Sequence, residues 1–142
     1  MYFTKLIMFR RLEKEKIRSK NQIDWNKFSF YYKNNEIKIN INDVYPFKPP
    51  ILLIHNRDHI DWFLKEYIQI NIFLKKFRII NQCICCHTIT CRWVPTYTID
   101  EIIDEYKLYY DKYELLKNMQ IFYKKQLFDD LVYEKIFLYI DI

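Results

Sequence analysis

The segment Tyr45-Pro46-Phe47-Lys48-Pro49-Pro50 constrains this chain more than any other stretch of it. Proline lacks the backbone donor and restricts the residue before it, so three prolines this close together fit neither a helix interior nor a central strand. The run predicts a stiff extended connector. Upstream, Phe28, Phe30 and Tyr32 alternate with Ser29, Tyr31 and Lys33, and Ile37, Ile39 and Ile41 alternate with Lys38, Asn40 and Asn42. Both patterns predict half-buried strands. Asn34-Asn35 between them predicts a hairpin turn, because asparagine tolerates positive φ better than most residues. Downstream, Ile51-Leu52-Leu53-Ile54 predicts a short buried strand, giving three strands in all.

Helical periodicity surrounds this sheet. Phe3, Leu6, Ile7, Phe9 and Leu12 predict an N-terminal helix over about residues 3–20 with one buried stripe. Ile60, Phe63, Tyr67, Ile70 and Phe73 or Leu74 predict a helix from Asp58 to about Phe77. Thr98 with Glu101 forms a capping box, and Asp100 adds favourable charge, at the head of a helix whose stripe is Ile99, Ile102, Ile103, Tyr106 and Tyr110. A last helical region is expected over about 118–140, with Phe122, Leu127, Leu131 and Phe137 as core candidates. The tyrosines 106, 109, 110 and 113 read as helical packing with hydroxyls at the surface. The pairs Asp100-Glu101 and Asp104-Glu105 read as exposed, solvating acids. Trp25 and Trp62 read as core or partly buried. The class expected is α+β: a small antiparallel meander flanked by N-terminal, inserted and C-terminal helices, in one domain over residues 1–142.

Composition narrows the function. With 142 residues, 51% of them hydrophobic, the chain can bury a proper core. No run of about eighteen apolar residues exists, so neither a membrane span nor a membrane partner is expected. The opening residues turn apolar first and basic afterwards, at Arg10-Arg11, the reverse of a secretory signal, which points to an intracellular protein. The net charge of +5 is mixed with acids throughout, as in Arg10-Arg11-Leu12-Glu13-Lys14-Glu15-Lys16. That pattern predicts a solvated helix face and no nucleic-acid partner. The absence of glycine, with heavy use of Ile, Lys, Asn and Tyr, suggests an AT-rich coding genome such as that of a large DNA virus.

All four cysteines, Cys83, Cys85, Cys86 and Cys91, fall within nine residues. Adjacent cysteines bridge badly, and in a reducing compartment such clusters serve chemistry or metal more often than disulfides. Cys85 stands eight residues before Trp93, which opens a Trp-x-Pro with Pro95. Together with Tyr45, Pro46, Phe47, Pro49 and Pro50, this spacing resembles the core signature of the ubiquitin-conjugating enzymes. The resemblance spans roughly residues 28–106.

That resemblance implies a ubiquitin-conjugating-like fold in which Tyr45 and Phe47 pack the proline turn and Trp93 and Pro95 wall the cysteine loop. It implies that Cys85 accepts ubiquitin, or a relative, as a thioester from an activating enzyme and passes it to a lysine or a ligase, without a cofactor. The host cytoplasm or nucleus would be the setting for a viral member. The chemistry needs an ionisable, accessible thiol and an oxyanion donor. The family's His-Pro-Asn tripeptide before the cysteine is missing, and Asn81 or a loop amide would have to substitute. His87 takes the place of the family's acidic residue two positions after the cysteine and could lower the thiol pKa or act as a base.

Two other readings stay open. The missing tripeptide and a shortened segment after the first helix suit a catalytically inactive module that binds ubiquitin or a ligase as an adaptor. Cys83 and Cys86 have half-site zinc spacing, which His87 and Cys91 could complete, with His55 or His59 available from elsewhere, to give a zinc-stabilised interaction domain. Taken singly, Cys83, Cys86 and Cys91 read first as small core residues.

Overall fold

A computed structural model describes residues 2–80 and 84–140, with the side chains of Ile84 and Cys85 outside the description. The elements run α1 (Tyr2–Arg18), β1 (Ser29–Tyr32), β2 (Asn35–Asn40), β3 (Ile51–Ile54), β4 (Arg57–Asp58), α2 (His59–Lys75), α3 (Ile84–His87), α4 (Ile99–Lys124) and α5 (Asp130–Phe137). The protein is α+β, with a four-stranded antiparallel sheet in the order β1-β2-β3-β4. The sheet has one strand more than the periodicity predicted, because two-residue β4 is too short to show alternation. It is held by the pairs Leu53↔Asp58 and Ile54↔Arg57.

Both tight hairpins use two-residue turns with consecutive positive φ, Lys33-Asn34 (46° and 65°) and His55-Asn56 (49° and 62°). This pairing of left-handed residues matches the twist of antiparallel strands. The first turn therefore lies one residue earlier than the Asn34-Asn35 reading. With no glycine in the chain, left-handed positions fall to Asn, Lys, His and even Phe28 (φ 50°).

The core forms where Phe30, Ile37, Ile39, Leu52 and Ile54 of the sheet meet Phe63, Tyr67 and Ile70 of α2 and Ile102, Ile103 and Tyr106 of α4. Tyr106 is its aromatic hub, edge-on to Phe30 at 6.0 Å and tilted against Phe63 at 5.7 Å. Its hydroxyl is buried with no hydrogen-bond partner among the described residues, not at the surface as expected. A second cluster joins Phe73 and Phe77 after the middle of α2 to Tyr123, Tyr133 and Phe137.

The capping box of α4 forms as read, and Asp58 and Asp129 cap α2 and α5. The stripe on α2 is buried as expected, except that Ile60 is only partly so. Trp25 and Trp62 are both partly buried, Trp62 stacked on Tyr110 at 6.0 Å.

Two expectations are corrected. On α1 only Leu12 and Glu15 are buried, while Phe3, Leu6 and Phe9 are exposed, because the helix turns Met8, Leu12 and Glu15 toward the rest of the protein. The last helical region expected over 118–140 is divided between the end of α4, which runs through Lys124, and α5. Phe122, Leu127 and Leu131 are exposed, and Tyr133 and Met119 take core places beside Phe137. Among the described residues no helix is long and apolar enough to cross a membrane.

Candidate functional site around the cysteine loop

The proline run is not the extended connector expected but a turn over residues 43–46 and a bend at 47–48, and it meets the loop after the cysteines. Tyr45 is fully buried, the Tyr45-Pro46 bond is cis, and the Trp93 indole donates from Nε1 to the Pro46 carbonyl at 2.7 Å. The Trp93 ring lies between Tyr45 (6.1 Å) and Tyr97 (5.8 Å). Helix α1 closes this junction from another side. Tyr45 donates its phenol hydrogen to Glu15 Oε1 at 2.6 Å, and Arg11 donates to the same oxygen at 2.9 Å. Arg11 also donates to the Tyr97 carbonyl at 2.8 Å. Burial, with Glu15 adjoining, holds the Tyr45 phenol protonated far above its ordinary range. Three segments far apart in sequence are thereby joined by charge-assisted hydrogen bonds.

Phe47 does not pack this turn. It is 58% exposed, with its amide donating to the Val44 carbonyl, because the turn carries its side chain away from Tyr45 and Pro46. Pro50 is buried, Pro49 partly so, and Pro95 exposed.

Cys85 lies on the four-residue helix α3, which packs against α2. Its side chain, and residues Asn81 and Cys83, lie outside the described residues. His87 and Cys86 are exposed at the end of α3, and Cys91 is exposed in the following turn. Among the described residues no three His, Cys, Asp or Glu side chains converge as a metal site. His55 is exposed in the β3–β4 turn, whereas His59 is buried beside Tyr106, where burial pushes its pKa down despite Asp58, the Leu52 backbone and Asp61.

The chain after α3 folds into a compact turn. Thr88, buried, accepts from the Cys91 amide at its side chain (3.2 Å) and from the Arg92 amide at its carbonyl (3.1 Å). Arg92 donates back to the His87 carbonyl at 3.3 Å. Glu105 of α4 accepts the Ile89 amide at both carboxylate oxygens, at 3.1 and 3.0 Å. Burial pushes the Glu105 carboxyl up, against the opposing pull of the Ile89 amide and Arg92.

Glu105 is thus not a solvating acid. It sits on the Ile102-Tyr106-Tyr109 face of α4, and that position within a buried stripe is the signal by which sequence could have found it. Asp100 is likewise engaged, accepting from Ser19, the Lys20 amide and Asn21 at 2.7–3.0 Å. Burial raises its pKa, but those hydrogen bonds outweigh burial and hold it below the ordinary value.

Chemically, the arrangement offers a short helix bearing Cys85, two exposed thiols, one exposed imidazole, and a following loop fixed at Glu105 and Trp93. No family model, no curated protein and no solved structure matches this chain.

Proposed function

We propose that the protein is a ubiquitin-conjugating-like enzyme whose nucleophile is Cys85. The observation that carries this reading is the Trp93–Pro46 hydrogen bond. It joins the Tyr-Pro-Phe-x-Pro-Pro turn to the Trp-x-Pro that follows Cys85, so the two parts of the family resemblance form one junction. The α1–meander order, now with four strands, supports the same fold.

In this reading the Cys85 thiolate attacks the thioester carbonyl of ubiquitin, or a relative, carried on an activating enzyme. A carbon–sulfur bond forms to Cys85 and the activating enzyme's thiolate leaves. A lysine amine then attacks the new thioester, directly or through a ligase. The amide forms, Cys85 leaves as thiolate, and the amine proton goes to solvent or to a base such as His87. Losing one oxyanion donor typically slows such chemistry by about 10² to 10³, so a chain without the His-Pro-Asn tripeptide can still turn over.

The test is a thiol-sensitive adduct on a non-reducing gel after incubation with activating enzyme, ATP and ubiquitin. The adduct is expected in the parent and in Cys86→Ser, and is lost in Cys85→Ser. Because the tripeptide is absent, a second reading is an adaptor that binds ubiquitin or a ligase without accepting it. Binding with no adduct would establish that reading instead.

A further inference from the structure

Helix α1 presents a mixed-charge sequence, but its periodicity sorts the charges. Ile7, Arg10, Arg11, Lys14, Glu15 and Arg18 share one face and line a groove of about 600 Å³. Glu13 and Lys16 lie off that face. The opposite side of the groove comes from Pro46, the Thr96–Asp100 segment and Trp25.

Both acids in the groove have donors of their own, Glu15 through Oε1 only. Glu15 accepts from Arg11 and Tyr45, and Asp100 accepts from Ser19, Lys20 and Asn21. Arg10, Lys14 and Arg18 form a stripe at successive helical turns, exposed to solvent, and no described residue pairs with them. The solvated face expected from the charge alternation is therefore one-signed where it meets the groove.

We propose that this groove binds a small molecule carrying a polyphosphate and a flat ring, of the nucleoside polyphosphate class. Its volume falls in the range of small-molecule sites. Three unpaired cations about 6 Å apart along the helix have side chains long enough to converge on one polyphosphate, the two arginines supplying planar donor forks. Trp25, partly buried at the groove's side, offers a face for the ring. None of the groove's described lining residues lies on α3, and its occupancy does not depend on the conjugating activity.

The test is calorimetric titration of the full chain at low salt with ATP, pyrophosphate and adenosine, alongside a poly-glutamate peptide. ATP and pyrophosphate are expected to bind with a Kd below about 1 mM, ATP the tighter, and adenosine not to bind. Binding should weaken as salt is raised. The triple variant Arg10→Gln/Lys14→Gln/Arg18→Gln removes only exposed, unpaired charges, and its fold is checked by circular dichroism. It should lose at least about tenfold in affinity for both phosphate compounds. Trp25→Leu should weaken ATP and leave pyrophosphate unchanged.

Absence of binding, equal binding by the triple variant, or ATP binding unaffected by Trp25→Leu each overturns the proposal. So does poly-glutamate binding more tightly than ATP, which would make the groove a dock for an acidic protein segment.

Discussion

Tyr45 and Glu15, thirty residues apart, meet inside the protein through a 2.6 Å hydrogen bond from the phenol to Oε1. Glu15 is buried, and its Oε2 has no partner among the described residues. The carboxylate therefore rests on Arg11 and Tyr45. Tyr45→Phe removes one of these donors and leaves the buried carboxylate less satisfied, for an expected loss of about 1–3 kcal/mol. Urea denaturation should show a lower midpoint with an unchanged slope.

Tyr106 predicts the opposite sign for the same substitution. Its hydroxyl is buried without a partner while its ring touches Phe30, Phe63 and His59. Tyr106→Phe keeps the ring and removes an unsatisfied polar atom, so stability should be unchanged or higher. Tyr106→Ala should cost about 3–5 kcal/mol through the cavity it leaves. Thermal or urea unfolding of both variants checks the contrast.

Glu105 holds the loop after α3 through the Ile89 amide. Glu105→Ala removes that acceptor, and amide exchange at Ile89 should accelerate by about tenfold or more, read by hydrogen–deuterium exchange. Should Cys85 be the nucleophile, adduct formation should also slow in this variant while Cys85 itself stays in place.

His59 makes stability depend on pH. Its folded pKa is lowered by burial, against the charges of Asp58 and Asp61, whereas in the unfolded chain it titrates near the ordinary value of about 6.5. Below that value the unfolded chain binds the proton and the folded protein does not, so stability falls as pH drops from 7 toward 5.5. The slope from this one group approaches at most about 1.4 kcal/mol per pH unit. His59→Gln should flatten the curve over this window, as measured by denaturation midpoints at each pH.

The glycine-free turns carry avoidable backbone cost. Asn34 and Asn56 occupy the second left-handed position of their two-residue turns, where glycine is preferred. Replacing either by Gly should leave the strand register intact, and because relief of left-handed strain is offset by a freer unfolded chain, the gain should be no more than a few tenths of a kcal/mol, read as a slightly higher Tm. Lys33 is better left alone, since it bridges to Asp111 at 2.9 Å and Glu114 at 2.8 Å.

Local chemistry was legible along the chain. The alternation of strands β1 and β2, the stripe on α2 and the Thr98–Glu101 capping box each depend on residues close in sequence, and each formed where the pattern placed it. The turn at Lys33-Asn34 was displaced by one residue because strand pairing, not asparagine preference, sets the register.

Burial at a distance was less legible. The apolar start of α1 predicted a buried stripe, yet only Leu12 and Glu15 are buried, with Met8 packed partly against the core. The fate of Phe47, Tyr106 and Glu105 likewise depended on which neighbours arrived from elsewhere in the chain.

Sequence alone determined the periodic elements, the break in regular structure at the proline run and the spacing of Cys85 to Trp93, since these are set by covalent order and local backbone preference. Only the tertiary structure decided that Trp93 reaches Pro46, that Arg11, Glu15 and Tyr45 form one buried network, and that Arg10, Lys14 and Arg18 face a groove whose acids are already engaged. Those outcomes depend on the direction in which each helix face points once the sheet has packed, and direction is a property of the assembled core rather than of any segment within it.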